Sequence, residues 1–267
     1  MKKNDVPPVK RFADALLFLG RTQSVATAFD DFLDFALLFI KWWDRRPEEY
    51  VDLKKKYPSQ NAHEQFVEAF LAMAEIADHG GAGFKDPFGD FYMEHLSNGG
   101  AGQFFTPEPI CDFMAQLQVP GEMPDGASVG DPCCGSGRML LSAAKINRKA
   151  QFYAADLDLT CCKMTLLNFL LNTMCGEVAW MNSLSLEHWK SWKVSKVMDA
   201  GGMYLPYYQE IVIENAVFPV MHANTVRTRR RENESPDPSE RVTTPKPTAT
   251  RSRKGRSTNQ LFFDFGE

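Results

Sequence analysis

The first hundred residues carry apolar side chains at the spacing of one face of an α-helix. Four such runs predict helices over residues 12–19, 24–43, 62–78 and 86–96. Gly80-Gly81 follows the third run and predicts its end, because glycine is the preferred residue just beyond a helix. We therefore expect a helical N-terminal region over residues 1–100.

From residue 127 the pattern changes to short apolar strands that alternate with helical runs. Strands are predicted over 127–130, 151–155 and 178–181, and helices over 138–147 and 159–174. Strands joined by helices with short connections build a parallel sheet with right-handed crossovers. The predicted fold class is therefore α/β, and residues 210–220 are expected to add one further strand or short helix.

The first predicted strand leads into Asp131-Pro132-Cys133-Cys134-Gly135-Ser136-Gly137, the segment with the clearest chemistry. An acid at a strand end can hold the ammonium group of a ligand. Gly135 and Gly137 let the backbone pass close to a ligand, and the N-terminus of the following helix offers free N–H groups. The segment predicts a nucleotide-type pocket, although many doubly wound sheets carry a turn of this kind.

Two flanking segments add to this pattern. Gln103-Phe104-Phe105-Thr106-Pro107 precedes a predicted helix, with Thr106 as its N-cap and Pro107 in its first turn. Phe152-Tyr153-Ala154-Ala155-Asp156 is a second strand that ends in an acid, about 20 residues after the glycine turn, where an acidic side chain can bind ribose hydroxyls.

These three segments, in this order and spacing, resemble the S-adenosylmethionine-binding half of adenine N-6 DNA methyltransferases, and most closely the modification subunits of type I restriction systems. The resemblance runs from about Phe84 to Leu186. It implies a Rossmann-like, S-adenosylmethionine-dependent methyltransferase sheet, in truncated form because the complete sheet needs more strands than this chain can supply. It also implies S-adenosylmethionine as cofactor and methyl transfer to adenine in DNA.

The resemblance assigns roles to individual residues. The residues implied to bind the cofactor are Phe105, Thr106, Pro107, Asp131, Pro132, Gly135, Gly137, Asp156, Leu157 and Asn182. The first three would line the methionine end, Asp131 would hold the amino group, and the next three would shape the turn. Asp156 would bind the ribose hydroxyls and Leu157 would pack on the adenine. Asn182 would read the adenine edge, with a turn-forming role as an equal alternative.

The catalytic signature of the family, Asn/Asp-Pro-Pro-aromatic, is not found. Its Asn or Asp and a main-chain carbonyl accept hydrogen bonds from the amine of a flipped adenine, on which the aromatic ring stacks. The only Pro-Pro pair in the sequence is Pro7-Pro8, preceded by Val6. At the expected distance the chain carries Asp199 to Tyr208, in which Pro206 and Tyr207 are weak candidates for a degenerate site.

Two functions therefore compete. The chain is either an adenine N-6 DNA methyltransferase, with a diverged site or one completed by a partner chain, or a catalytically silent relative that acts as a cofactor- or DNA-binding subunit and modulates restriction. The missing signature argues against catalysis by the chain alone. A dinucleotide oxidoreductase is disfavoured, because Leu140 stands where its third glycine would be.

Charge is distributed unevenly along the chain. Residues 227–256 carry ten Lys or Arg and four acids, whereas the whole chain has a net charge of −4. This composition, rich in Pro, Ser and Thr, predicts a disordered basic tail over residues 223–267 and leaves 101–222 for the methyltransferase domain. Such a tail can bind DNA phosphates, or be a solvated extension without a function. Since no segment resembles a target-recognition domain, a specificity or catalytic partner subunit is expected.

The tail ends in an aromatic-rich segment, Gln260 to Phe265. Such a segment can bind in a groove of a partner, and this one has a loose similarity to peptides that bind bacterial sliding clamps. The alternative is that the segment folds back onto the surface of its own chain.

Composition also bears on compartment and metal binding. No signal-type apolar segment follows Met1, and acids interrupt the apolar run from Phe29 to Trp43, so a cytoplasmic protein without a membrane span is expected. Cys133-Cys134 and Cys161-Cys162 lack the usual spacing of zinc ligands, so no metal site is predicted and zinc is a minor alternative. The first pair is expected in the turn, and the second on the buried face of a helix.

Overall fold

The computed structural model describes residues 6–41, 47–97, 103–119, 124, 126–216 and 260–262. Its helices are α1 (Pro8–Leu19), α2 (Val25–Ile40), α3 (Pro47–Lys56), α4 (Gln60–Asp78), α5 (Gly89–His95), α6 (Glu108–Gln118), α7 (Arg138–Ile146) and α8 (Leu159–Leu171). Its strands are β1 (Ser128–Asp131), β2 (Gln151–Asp156), β3 (Gly176–Met181), β4 (His188–Met198), β5 (Tyr204–Ile211) and β6 (Gln260–Phe262). The predicted α/β fold class is confirmed.

The N-terminal helices form where the apolar periodicity predicts them, and α3 is an addition that the sequence did not indicate. Ser24 and Ser59 cap α2 and α4, because their side chains accept hydrogen bonds from amides three residues on, over 3.0 and 3.1 Å. Phe12 packs edge-on against Phe32 at 5.4 Å between ring centroids, and Phe29 stacks on Phe91 at the same distance. These rings bury the faces that the helices α1, α2 and α5 share.

The helical region packs directly on the sheet domain through α8. The side chain of Lys163 on α8 is 10% exposed and forms ion pairs with Asp30 (3.0 Å) and Asp34 (2.8 Å) on α2. Cys161 and Cys162 are at most 1% exposed, which confirms the predicted buried face of this helix. The predicted domain boundaries at residues 100 and 222 stay predictions, since one hydrophobic cluster includes residues from both sides of the first.

The sheet has the strand order β5-β4-β3-β2-β1-β6. β1, β2 and β3 are parallel, as predicted, whereas β3, β4 and β5 form antiparallel pairs, which the sequence did not predict. Only residues 182–187 connect β3 to β4, and a parallel neighbour requires a crossover of about a dozen residues or more. The short connection therefore forces an antiparallel turn.

Strands β4 and β5 form a hairpin that the sequence did not reveal. The carboxylate of Asp199 holds its turn by accepting hydrogen bonds from the amides of Gly201 (2.9 Å) and Met203 (2.8 Å). β5 begins at Tyr204 rather than at residue 210, and a short 3₁₀ turn over Ile213–Asn215 follows it. The chain thus supplies more strands than predicted, although two of them are arranged as a hairpin.

The tail predicted over 223–267 lies outside the described residues except at Gln260–Phe262. These three residues pair in parallel with Ser128, Val129 and Gly130 of β1. This pairing with the same chain agrees with the fold-back alternative, and the disordered tail stays a prediction. Within the described ranges, none of the helices combines the length and apolar character that a membrane crossing requires.

Candidate functional site

Two carboxylates meet at the carboxyl edge of the sheet. The parallel neighbours β1 and β2 end in Asp131 and Asp156. Asp131 is 2% exposed and accepts a hydrogen bond from the amide of Cys133 over 3.0 Å. Asp156 accepts hydrogen bonds from the amides of Gly135 and Asp158, each over 2.9 Å. The two acids therefore hold the glycine turn from its own strand and from the neighbouring strand.

The glycine turn has a backbone shape that requires glycine. Gly135 and Gly137 have φ angles of +54° and +82°, in the left-handed region. A Cβ atom on Gly135 would lie 2.9 Å from the ring of Phe105, and one on Gly137 would lie 3.0 Å from the side chain of Thr165. Thr165 also donates a hydrogen bond to the carbonyl of Gly135 over 3.0 Å. The turn is thus fixed by close packing on both sides.

A cavity of about 240 Å³ opens between the glycine turn and the segment before α6. Its lining consists of Phe104, Phe105, Thr106, Cys111, Asp131, Cys133, Cys134, Gly135, Ser136, Arg138 and Met139. The sequence predicted Phe105, Thr106, Asp131 and Gly135 among these, and the structure brings all four together. A larger groove of about 500 Å³ lies between α2, α3 and α4, away from both acids, and is mainly apolar.

The cavity is an unusual environment for a carboxylate. Burial raises the pKa of Asp131 to about 7, and the nearby charge of Asp156 adds to the shift, while the amide of Cys133 opposes it. Burial also raises the pKa of Asp156, against the hydrogen bonds that its carboxylate accepts. A cation in the cavity would favour the ionised form of Asp131. The site is therefore suited to an ammonium group.

The segment before α6 is fixed by contacts on both of its flanks. The side chain of Gln103 donates to Asp158 over 3.0 Å and accepts from the hydroxyl of Tyr92 over 2.6 Å. The ring of Phe105 stacks on Tyr92 with 5.0 Å between centroids. Phe105 thereby forms one wall of the cavity at a fixed distance from the glycine turn.

The predicted helix start in this segment was one residue early. α6 begins at Glu108, its N-cap is Pro107, and no side chain caps it, so Thr106 is not the N-cap. Pro107 has an extended backbone with ψ at 141°, and Pro109 is the proline in the first turn of α6. Thr106 is free to face the cavity instead.

Sequence reasoning missed a buried polar cluster that supports the turn. Asp86, in the loop before α5, accepts hydrogen bonds from Ser136 (2.6 Å), Arg138 (3.0 Å) and Asn168 (3.0 Å). Asn168 is fully buried in the apolar helix α8. A polar amide in such a run was the signal that could have revealed the cluster, because buried amides need partners.

Neither Leu157 nor Asn182, the two predicted adenine contacts, is among the residues that line the cavity. Leu157 follows Asp156 and is 62% exposed, and its carbonyl accepts a hydrogen bond from the indole of Trp180 over 3.0 Å. The side-chain oxygen of Asn182 accepts from the amides of Leu184 (2.9 Å) and Ser185 (3.0 Å). Asn182 therefore forms the turn that was its alternative role, and adenine reading stays a prediction.

The weak catalytic candidates do not reach this site. Pro206 and Tyr207 pair with Lys196 and Ser195 of β4. These two β4 residues follow Val194, which pairs with the first residue of β3. They therefore lie at the amino edge of the sheet, on its outermost strand, whereas the two acids lie at the carboxyl edge. The aromatic and proline residues of this segment belong to the β4–β5 hairpin.

Pro132 links the glycine turn to the end of another strand. The carbonyl of Pro132 accepts a hydrogen bond from the hydroxyl of Ser183 over 2.7 Å, which ties the glycine turn to the end of β3.

All six cysteines are free thiols. Over the ranges that the structure describes, no group of three or more His, Cys, Asp or Glu side chains is arranged to hold a metal ion.

Comparison with known proteins places the chain in a family. Residues 84–233, more than half of the chain, match the family model described as N-6 DNA Methylase. No curated protein matches. A similar solved structure is the type I restriction-modification system methyltransferase subunit from Streptococcus thermophilus, at 16% identity and a TM-score of 0.31, over 62% of this chain. The similarity covers 55% of that subunit, so this chain spans little more than half of its length. The chain belongs to the N-6 DNA methylase family.

Proposed function

We propose that the chain is the S-adenosylmethionine-binding component of a DNA adenine N-6 methyltransferase. The observation that supports this proposal most is that Asp131 and the glycine turn line one cavity, while Asp156 on the neighbouring strand holds that turn through the amide of Gly135. Asp131 holds the amino group of the cofactor and Phe105 packs beside its methionine end. Affinity of micromolar order is expected, as for many small-cofactor pockets.

The cavity fits one part of the cofactor. Its volume of about 240 Å³ is below the ~300–1,000 Å³ usual for a pocket that encloses a whole ligand, so it takes the methionine end. The nucleoside then lies along the rim, where Asp156 and the exposed Leu157 follow β2. Asp156 accepts backbone hydrogen bonds from Gly135 and Asp158, and a carboxylate has about four acceptor positions, which leaves room for a ribose hydroxyl.

Methyl transfer needs more than a cofactor pocket. The bound cofactor supplies a methyl group on a sulfonium centre, and the adenine amine must be made nucleophilic by groups that accept its hydrogen bonds. Pro206 and Tyr207 lie at the opposite edge of the sheet and do not serve this purpose. We propose that a partner chain completes the site, and that DNA recognition also comes from a partner subunit.

A second candidate function is a catalytically silent subunit that binds the cofactor and modulates restriction. It is favoured by one observation, the lack of an Asn/Asp-Pro-Pro-aromatic sequence anywhere in the chain. Neither candidate requires the sliding-clamp partner that the segment Gln260 to Phe265 suggested. The backbone of Gln260–Phe262 is paired with β1, and no observation supports a clamp.

A transfer assay separates the two candidates. The purified chain is incubated with mixed-sequence DNA and cofactor that carries a radiolabelled methyl group, alone and together with the chains that co-purify with it from its own cells. We expect little or no incorporation by the chain alone and incorporation into adenine with the partners. Clear incorporation by the chain alone contradicts the partner-completed site, and none in either reaction favours the silent subunit.

A further inference from the structure

Asp86 is a carboxylate from outside the sheet that is buried beside the glycine turn. Its side chain is 2% exposed. It accepts five hydrogen bonds, from the amides of Phe88 and Gly89 and from the side chains of Ser136, Arg138 and Asn168, at distances between 2.6 and 3.1 Å. A buried carboxylate with this many donors is fixed in orientation.

This carboxylate fixes the residue between the two glycines. The hydroxyl of Ser136 donates to Asp86 over 2.6 Å, and the amide of Asn168 donates to the carbonyl of Ser136 over 2.8 Å and to Asp86 over 3.0 Å. Ser136 is therefore held through its side chain and its backbone at once. Since Ser136 lines the cavity, its position determines the shape of the wall that faces the methionine end.

Neighbouring residues are adapted to this arrangement. A Cβ atom on Gly89 would overlap the carboxylate of Asp86 and the guanidinium of Arg138, so glycine is required at the start of α5. Arg138 also forms an ion pair of 2.9 Å with Asp90, whose side chain is 75% exposed. Asp90 therefore pairs with the same arginine as Asp86. In the part of the chain that the structure describes, Asp90 makes no contact with the glycine turn.

We propose that Asp86 is a positioning residue for the methionine end of the cofactor, acting through Ser136. The inference rests on the proposed cofactor function. In this proposal the segment before α5 helps to shape the pocket, because Asp86 fixes the position of Ser136 in the cavity wall. The nucleoside end, held by Asp156 and the rim, does not depend on Asp86.

The test compares two ligands on matched variants. S-Adenosylmethionine and 5′-methylthioadenosine share the nucleoside and the sulfur atom, and only the first carries the amino-acid part. In Asp86→Asn the new amide nitrogen cannot accept from Ser136 and Arg138. We expect a loss of about tenfold or more in affinity for S-adenosylmethionine and a change of less than about twofold for methylthioadenosine. Asp90→Asn, the control, leaves both affinities near those of the parent.

The outcomes are distinguishable. If Asp86→Asn keeps its affinity for S-adenosylmethionine, or loses both ligands equally, the inference is wrong. If the parent binds neither ligand, the proposed function fails and the inference fails with it. Should Asp86→Asn not fold, as judged by circular dichroism, Ser136→Ala removes the linking hydroxyl alone. This second variant must show the same selective loss, in smaller measure, and equal affinity to the parent would overturn the inference.

Discussion

The carboxylate of Asp156 accepts a hydrogen bond from the amide of Gly135 across 2.9 Å, so the end of β2 holds the turn that follows β1. Asp156 also lies at the rim where the ribose would bind. If the proposed function is correct, the side chain that holds the glycine turn is also the one that binds the ribose. Substitutions of this acid should affect both parts of the pocket.

The close approach of Gly135 to Phe105 predicts a steric effect on ligand binding. In Gly135→Ala the new methyl group meets the ring at 2.9 Å, so Phe105 must move into the cavity or the turn must shift. We expect at least a tenfold loss of affinity for S-adenosylmethionine, measured by equilibrium dialysis, and a loss of stability of about 1–3 kcal/mol. Gly126→Ala is the matched control, because Gly126 also has a positive φ but no neighbour within 4 Å. Equal effects of the two substitutions on binding would contradict the role of the contact.

The environment of Asp131 predicts a pH optimum for binding. Its pKa is raised to about 7, and the ammonium of the cofactor binds the ionised form, so affinity should fall as pH decreases below 7. An α-amino group loses its proton near pH ~8, which lowers affinity on the alkaline side. Binding constants measured from pH 5.5 to 9 should therefore pass through a maximum. In Asp131→Asn the acid limb should disappear, and an acid limb that persists there would assign it to another group.

The same carboxyl group predicts how stability depends on pH. Because its pKa in the folded chain lies above the usual value of 3.8, the folded state binds more protons than the unfolded state between pH 4 and 7. Its contribution to stability is present below about pH 4 and is lost as pH rises through 7, by up to about 4 kcal/mol. Asp131→Asn should therefore be more stable than the parent at pH 8 in urea unfolding. Glu187→Gln, at an exposed position, should show no such gain.

The reactivity of the Cys133 thiol can report whether a ligand occupies the cavity. It is exposed and lines the pocket, whereas Cys111, Cys134, Cys161 and Cys162 are buried, with burial raising the pKa of each thiol. A maleimide at pH 8 should modify Cys133 first, although burial raises its pKa too and slows the reaction. Saturating S-adenosylmethionine should protect it, as read by peptide mass spectrometry. Partly exposed Cys175 lies outside the pocket lining and should react at the same rate with and without the ligand.

The ion pairs of Lys163 predict that the helical region and the sheet are energetically linked. In Lys163→Ala the carboxylates of Asp30 and Asp34 lose a largely buried partner, and we expect a loss of about 2–3 kcal/mol in urea unfolding. Lys55→Ala breaks an exposed pair of 2.8 Å with Asp52 and should cost little. If the two variants lost similar amounts of unfolding free energy, the ion pairs of Lys163 would contribute no more to stability than an exposed pair.

Much of the site was predictable because its residues are local in sequence. Asp131 and Asp156 each end a short apolar strand, and parallel strands bring their carboxyl ends to one edge. The need for Gly135 follows from the turn that separates a strand from a helix. Local patterns of this kind determine where each element begins, so they also determine which side chains stand at its end.

The parts that escaped prediction depend on contacts between distant segments. Asp86 meets Asn168 across 82 positions of sequence, and no local pattern specifies that contact. The hairpin was missed for another reason. β4 has only Trp192 and Val194 as buried apolar residues on its inner face, between lysines, so its alternation is weak. A segment with few apolar residues becomes a strand here because β3 offers it a partner.

Calorimetric titration of the purified chain with S-adenosylmethionine tests the central claim most directly. It is carried out at two temperatures, since burial of apolar surface changes the heat capacity and an enthalpy near zero at one temperature would not hide binding. We predict one cofactor per chain with micromolar affinity, and binding at least tenfold weaker in Asp156→Ala. No heat of binding at either temperature, with Asp156→Ala indistinguishable from the parent, would contradict the account.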